Sequence, residues 1–533
     1  MATILLHHVE FGYPAAPEPV FRDLSLLLDT GWRTGVIGRN GQGKSTLLRL
    51  IHRELAPDAG EVEVPVTTRL FPGPRPSPER RTLDVVRDAV APFSAWERRM
   101  DALLADAGEP ALAEYAELHE RYVACGGYQI DAWIARELDA MELPAELLDR
   151  PFGALSGGEQ TRALIVSLFL DPASFPLMDE PTDHLDRAGR ERLGAYLAGK
   201  SGFLLVSHDR SFLDRAVDHV LSLNRSDIRL NQGNYSQWRA QMDEELEFER
   251  RTRARIERTV ARLETAAQRT RQNAEGRERD KYGAGPVDRG YIGRRAAKQM
   301  KRAKSVERRI DAELEAKRAL LRNAEKERRL SVTTAPRRDE RLLTVQNLTV
   351  AVGGRVLFRD LSFEVAPGER IAVVGPNGCG KTTLLDLICG RCVSGRRVAD
   401  EGLVHRPAHV TLARGYQQPV WQQGELRRHL ADAGLDETRF RQFLGVLGVR
   451  GDVFEQDLAT FSLGQLKKVD LCRSLLTGAD LLVWDEPLNY VDVHSREQLE
   501  QALLRDRPTL LFVEHDRAFV ERVATRVIDL AAV

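Results

Sequence analysis

The chain has 533 residues, 42% of them apolar and 29% charged, with 78 Lys and Arg against 79 Asp and Glu for a net charge of −1. At about 150 residues per domain that length suggests two to four domains, and near neutrality excludes a wholly basic nucleic-acid coat or an acidic disordered chain. Five scattered cysteines exclude a disulfide framework. No run of about 18 apolar residues occurs, and the start, MATILLHHVEFGYP, lacks the pattern of a signal peptide. A soluble chain of a reducing cytoplasm is expected.

In chain order, an apolar strand predicted at Thr34–Ile37 runs into Gly38-Arg-Asn40-Gly41-Gln-Gly43-Lys44-Ser45, and a helix is predicted over Thr46–Ile51. A G-x-x-x-x-G-K-[ST] loop between strand and helix lets backbone N–H groups wrap phosphate oxygens at a helix N-terminus. Lys44 would reach β- and γ-phosphates, and Ser45 would ligate Mg²⁺. Further on come Ser156-Gly157-Gly158-Glu159-Gln160 and an apolar stretch ending in Asp179-Glu180-Pro181. Asp183-His-Leu-Asp186 and a strand at Gly202–Val206 follow, the latter ahead of His208-Asp209.

Residues 240–335 are dense in Arg, Glu, Ala and Leu. Ile256, Val260, Leu263 and Ala267 recur at helical spacing, and Val306, Ile310 and Leu314 repeat it beyond a break at Gly276–Gly290. This predicts a long antiparallel helical hairpin. Its first helix, roughly 239–275, would be about 55 Å long, so the tip must project. Residues 250–308 carry 19 Lys and Arg against 7 Asp and Glu, a net of +12. Such an excess on one hairpin points to a polyanionic partner, and Tyr282 and Tyr291 could stack on unpaired bases.

The remainder repeats the beginning. A strand at Ile371–Val374 leads into Gly375-Pro-Asn377-Gly378-Cys-Gly380-Lys381-Thr382 and a helix at Thr383–Ile388. Ser462-Leu-Gly464-Gln-Leu466, Asp485-Glu486-Pro487 and His515-Asp516 follow. Both Ser156 to Ser462 and Asp179 to Asp485 are 306 residues apart, and His208 to His515 is 307. That register marks an internal duplication. Lys44 to Asp179 spans 135 residues but Lys381 to Asp485 only 104, so the first copy holds an insertion, placed around 78–143 and expected to be helical. Cys389 and Cys392 end the second loop's helix and have no partner pair, which assigns them a structural role.

Each copy resembles an ATP-binding cassette domain with Walker A, signature, Walker B, D-loop and switch-histidine motifs. Two cassettes in one chain without a membrane span resemble the ABC-F family of translation-associated ATPases. The fold class this implies is α/β: two tandem ATP-binding cassette (P-loop NTPase) domains, residues 1–239 and 336–533, joined by the helical hairpin linker 240–335. The resemblance makes Asp179 and Asp485 Mg²⁺ ligands with Ser45, Thr382 and Gln417, and Glu180 and Glu486 bases that orient the attacking water. His208 and His515 would sense the γ-phosphate. ATP would be held by Gly38, Asn40, Gly41, Gly43, Lys44, Ser45 and Thr46 in the first cassette. Gly375, Asn377, Gly378, Gly380, Lys381, Thr382 and Thr383 would hold it in the second. The cassettes of this family close head to tail, so Ser156, Gly157 and Gly158 would cap the second ATP, and Ser462 and Gly464 the first. Tyr13 fits adenine stacking. Leu463 stands where the first copy has Gly157, and Gly73 where the second has Gln417, so the two sites are expected to be inequivalent.

Ser462–Val469, Trp484–Asp492, Gln232–Trp238 and Gly290–Gly293 further resemble the antibiotic-resistance members acting against lincosamides, streptogramins A and pleuromutilins. The resemblance implies a cytoplasmic, monomeric ATPase whose cassettes dimerise intramolecularly. It would bind the E site of the 70S ribosome, on the 50S subunit, beside 23S rRNA and P-site tRNA. Its linker tip, 277–293, would dislodge drugs, and the insertion would form the family's ribosome-contacting arm. A housekeeping translation or ribosome-assembly ATPase, and the detached motor of an antibiotic exporter, are the alternatives.

Overall fold

The computed structural model describes residues 2–14, 19–106, 108–183, 185–223, 228–280, 330, 332, 341–390, 398–449 and 453–531. It divides into two compact units, Met1–Ser236 with Arg329–Val533, and Gln237–Arg328.

The first unit contains one architecture twice. Strand β1 (Thr3–Phe11) alternates apolar and polar residues and buries Ile4, Leu6, Val9 and Phe11. It pairs antiparallel with β2 (Phe21–Asp29) and later with β4 (Ala59–Glu63) in a small sheet with one solvated face. Strand β3 (Arg33–Gly38) instead has buried residues on both faces, as do β6 (Ser174–Asp179) and β7 (Phe203–Val206). With β5 (Thr67–Phe71), β8 (His219–Leu223) and β9 (Ile228–Gln232) they form the sheet β5-β6-β7-β3-β8-β9, parallel except at the β8–β9 edge. In the second cassette β10 (Leu343–Val352), β11 (Arg355–Val365) and β13 (Val398–His405) form the small sheet. Strands β12 (Arg370–Val374), β14 (Leu412–Gly415), β15 (Leu481–Asp485), β16 (Leu510–Val513) and β17 (Arg526–Asp529) make the parallel one, ordered β14-β15-β16-β12-β17. In both sheets the loop-bearing strand, β3 or β12, lies between the strand preceding the switch histidine and the last parallel strand. The carboxyl ends of β3, β6 and β7 therefore open on one crevice, the usual ligand position of such sheets.

Between β5 and β6 the first cassette has helices Thr82–Asp88, Phe93–Asp106, Glu109–Ala124 and Ile130–Ala140 before its signature helix. The second has Leu426–Asp432 and Glu437–Val446 at the corresponding place. The extra hairpin is pinned by Phe93 packed edge-on against Tyr122 and by Arg99 in a fork with Glu114, 2.7 Å at each contact.

A buried carboxylate ties these helices to the rest of the cassette. Glu137 accepts from Tyr196 Oη at 2.7 Å, pairs with Lys200, and meets Arg136 at 3.2 Å. Burial works against its ionisation, but the Lys200 and Tyr196 hydrogen bonds win and hold it below its ordinary value. Replacing Lys200 by Met is expected to destabilise the protein by about 2 kcal/mol at pH 7. Because the folded pKa is depressed, this contribution is present above the ordinary carboxylate pKa and lost as pH falls through the folded value. The gap between wild type and K200M in urea unfolding should therefore close in acid. Equal stability at pH 7 would refute the assignment.

Leu330 and Val332 join the apolar core of the second cassette, where Val332 N donates to Asp506 at 2.5 Å. In the second unit, the described residues belong to the helix Tyr235–Asp280, 46 residues long. It passes through Gly276, where the sequence had suggested a break. One glycine costs a helix only about 1 kcal/mol, and Glu275, Arg277, Glu278 and Arg279 around it are good helix formers. The return helix expected around Val306, Ile310 and Leu314, the tip from 281 to 293, and Cys392 lie outside the described residues. Among the described residues no helix is long and apolar enough to cross a membrane.

Candidate functional site

Each phosphate loop turns through glycines that no other residue would replace without strain. Gly43 and Gly380 have φ of 89° and 102°, and a Cβ on Gly43 would lie 2.5 Å from Val20 Cγ1. Gly41 and Gly378 match them at 79° and 78°. The turns release helices Lys44–Ile51 and Lys381–Ile388, whose first N–H groups face the crevice. Lys44 Nζ donates to the carbonyls of Gly38 and Arg39 at 3.0 and 3.2 Å, and Lys381 Nζ to those of Gly375 and Pro376 at 2.8 and 2.9 Å. Burial lowers the Lys44 pKa against the nearby charges of Glu180, Asp492 and Asp179. Tyr13 Oη lies 3.1 Å from Thr46 Oγ1, with its ring edge-on to Phe11.

The carboxylate pairs end β6 and β15. Glu180 and Glu486 take left-handed backbone conformations, φ 48° and 46°, and their N–H groups bond the last residues of the neighbouring strands, Val206 and Val513. A non-glycine residue held there in both copies is a strained position paid for by its surroundings. The kink aims each side chain at the switch histidine: His208 Nε2 to Glu180 Oε1 and His515 Nε2 to Glu486 Oε1 are both 3.3 Å.

Identical geometry here carries opposite electrostatics. Burial, together with the charges of Asp183 and Asp179, raises Glu180 to about 8, and burial pushes His208 well below its ordinary value. Burial acts on Glu486 too, but hydrogen bonds from His515, Gln417 and Asn489 overcome it and bring Glu486 to about 2. Gln417 Nε2 and Asn489 Nδ2 reach Glu486 at 3.1 and 2.5 Å. The corresponding first-cassette residues are Gly73, which has no side chain to donate, and Asp183, which repels. These two substitutions, together with a His515 contribution that His208 does not match, separate the sites.

The residues present fit Mg²⁺. Asp485 Oδ1 is buried with no hydrogen-bond partner beside the Thr382 hydroxyl, and Asp179 lies beside that of Ser45. Carboxylate and hydroxyl oxygens of this kind suit a hard divalent cation.

A cavity of about 1580 Å³ joins the first phosphate loop, Tyr13, Asp179, Glu180 and His208 to Ser462, Leu463, Gly464 and Tyr490 of the second cassette. Asn40 Nδ2 donates to Tyr490 O at 2.6 Å, Arg39 meets His494 at 2.9 Å, and Arg496 Nη1 donates to His208 O at 2.8 Å. Arg210 pairs with buried Glu500, and Tyr235 Oη reaches Glu497 at 3.1 Å. The signature of one cassette thus faces the phosphate loop of the other. Both signatures are capping boxes: the Glu159 and Gln465 N–H groups bond Ser156 and Ser462 Oγ, while their side chains accept from the Ser N–H groups. The exchange of Glu159 for Gln465 keeps the cap and removes its charge. Ser156, Gly157 and Gly158 do not line this cavity.

The family described as ABC transporter matches residues 21–183 and 358–489, both cassettes. The energy-dependent translational throttle protein EttA of Haemophilus influenzae is 30% identical over 531 residues, covering 96% of this chain and 89% of that protein. The chain belongs to the ABC-F family of ATP-binding cassette ATPases. The ribosome protection protein VmlR of Bacillus subtilis is 29% identical, over 96% of this chain and 84% of VmlR. Among solved structures, archaeal ribosome recycling factor aABCE1, in complex with the ribosomal stalk protein aP1, has the same fold. Its TM-score is 0.53 at 22% identity, over 98% of this chain and 87% of that one.

Within this ABC-F chain the structure adds contacts that motif reading did not give. Asn489 sits in the D-loop and bonds Glu486. Arg496 links the D-loop carbonyls of Leu488 and Val491 to the first cassette's His208. Buried Lys467, on the signature helix, donates to Tyr416 O, and to Gln417 O at 3.3 Å. In sequence Lys467 belongs only to the stretch Ser462–Val469; its burial, at 1% exposure, and these bonds make it a tie between the signature helix and the backbone at Gln417.

Proposed function

We propose that this ABC-F ATPase is a ribosome protection factor. It binds the E site of the 70S ribosome, contacts 23S rRNA and P-site tRNA, and uses its linker to dislodge antibiotics from the peptidyl-transferase centre or exit tunnel. ATP hydrolysis then releases it. The observation that carries this reading is the likeness, along nearly the whole chain, to one protein named for ribosome protection and another named for throttling translation. The basic linker sequence supports it, because net positive charge on a helical hairpin favours rRNA and tRNA backbones.

In this reading the N–H groups of the two phosphate loops, with Lys44 and Lys381, hold the phosphates of one ATP each. Tyr13 stacks on the first adenine. Ser45 with Asp179, and Thr382 with Asp485 and Gln417, would hold Mg²⁺, which neutralises phosphate charge during phosphoryl transfer. Glu180 and Glu486 orient water, each steadied by its histidine. Ser462 and Gly464 close over the first ATP, and Ser156, Gly157 and Gly158 over the second. The chain acts as a cytoplasmic monomer with an intramolecular cassette dimer.

The identity to EttA favours a second reading, a housekeeping translation ATPase. A drug-susceptibility panel in a sensitive host separates the two. Wild type is expected to raise resistance to large-subunit inhibitors, and deletion of Arg277–Gly290 to abolish it while basal ATPase activity persists. Resistance surviving the deletion would remove the linker from the mechanism. No resistance from wild type, with an altered polysome profile, would establish the housekeeping reading.

A further inference from the structure

The second cassette has a buried cation where the first has a leucine. Sheet register sets the equivalence. Leu70 on β5 lies opposite Leu177, and Arg414 on β14 lies opposite Val483; each partner is two residues before its cassette's Walker B aspartate. Arg414 Nη2 is 3.2 Å from Asp485 Oδ2 and 3.1 Å from Asp386 Oδ1. Its Nε and Nη1 are also buried and have no hydrogen-bond partner. Asp386 is five residues after Lys381 on the phosphate-loop helix. The residue five after Lys44 is Arg49, which is exposed, meets Glu54 at 3.9 Å, lines the first-site cavity and favours the charged form of Asp179 through space. The first site thus has a solvated cation on the helix, and the second a carboxylate on the helix with a desolvated guanidinium on the strand.

We propose that Arg414 is a built-in cation of the second nucleotide site, a positioning residue that makes nucleotide binding there less dependent on Mg²⁺ than at the first site. The inference rests on the nucleotide reading above. Without metal, half-buried Asp179, facing Ser45, Lys44 and the more distant Arg49, leaves a negative charge near the triphosphate, whereas buried Asp485 is paired directly with a guanidinium and repels it less. With metal, a divalent cation on Asp485 Oδ1 meets a carboxylate whose charge is already shared with the guanidinium on Oδ2, and repulsion between the two cations weakens its hold. Both effects narrow the difference between metal-free and metal-bound affinity, and both act at the second site.

The test measures equilibrium binding of a fluorescent ATP analogue to the full chain, in Mg²⁺ and in EDTA. K44A reports the second site and K381A the first. EDTA is expected to weaken binding by at least about tenfold in K381A but by about threefold or less in K44A. In the K44A background, R414L/D386N, which removes both charges together, should bring the EDTA loss to the first-site value, and R414K should preserve the small loss. Equal metal dependence at the two sites overturns the proposal. So does a folded R414L/D386N protein whose metal dependence is unchanged. If that variant does not fold, the comparison of K44A with K381A, both retaining Arg414, still decides. If neither lysine substitution weakens binding, the nucleotide reading fails and this inference with it.

Discussion

Replacing Glu180 and Glu486 together by Gln is expected to leave ATP binding intact, to cut hydrolysis by about 10²–10⁴-fold, and to trap the protein on ribosomes. Glutamine preserves shape, so the backbone kink held by Val206 O and Val513 O persists. The amide can still meet the histidines, which lie 3.3 Å from the carboxylates. What it cannot do is accept a proton from water. Closure across the seam uses other residues, among them Asn40 with Tyr490 and Arg496 with the carbonyl of His208. Binding and closure therefore survive while release fails. Phosphate release under single-turnover conditions and pelleting with ribosomes in ATP are the measurements. Wild-type hydrolysis and release by the double mutant would remove both glutamates from catalysis.

The duplication was legible in the sequence because phosphate loops, carboxylate pairs and switch histidines are local patterns, and local patterns repeat in register. Burial on both faces of β3, β6 and β7 likewise follows from their continuous apolar character. The extra helices of the first cassette were legible from length alone, 135 residues against 104. What was not legible depends on three-dimensional neighbours. Gly73 and Gln417 could be matched by position, but nothing local says that Gln417 and Asn489 converge on one carboxylate oxygen while Asp183 works against its counterpart. Arg496 and His208 are 288 residues apart, and their bond leaves no periodic trace. Arg414, three residues before Gln417, belongs to none of the motifs. Its neighbours Asp386 and Asp485 come from a helix and a different strand. Gly276 shows the opposite error: a local signal that favourable neighbours outweigh.

The seam itself gives the other large expected effect. Gly464 to Ala should leave each cassette folded and yet weaken ATP-driven closure by roughly 5–150-fold, the equivalent of about 1–3 kcal/mol of overpacking. Gly464 lies in the first turn of helix Leu463–Leu476 and is buried. A Cβ there would lie 2.6 Å from Tyr490 O and closer still to Asn40 Nδ2. The Asn40 amide comes from the first cassette and donates across the seam to Tyr490 O, so displacing it undoes that contact. The Tyr490 carbonyl belongs to Gly464's own cassette, to a D-loop residue held at φ 61°, so part of the overpacking falls inside the second cassette. Intrinsic helix propensity runs the other way, since Ala exceeds Gly by about 1 kcal/mol in a helix. The two effects are read by different measurements: unfolding of nucleotide-free G464A should lie within about 2 kcal/mol of wild type, because the helix propensity of Ala offsets part of the overpacking against Tyr490 O, while cross-linking between cysteines placed on either side of the seam should demand far more ATP. Loss of fold would assign Gly464 to its own cassette's packing. Wild-type closure would show that the signature helix does not seat against the first phosphate loop as this structure has it.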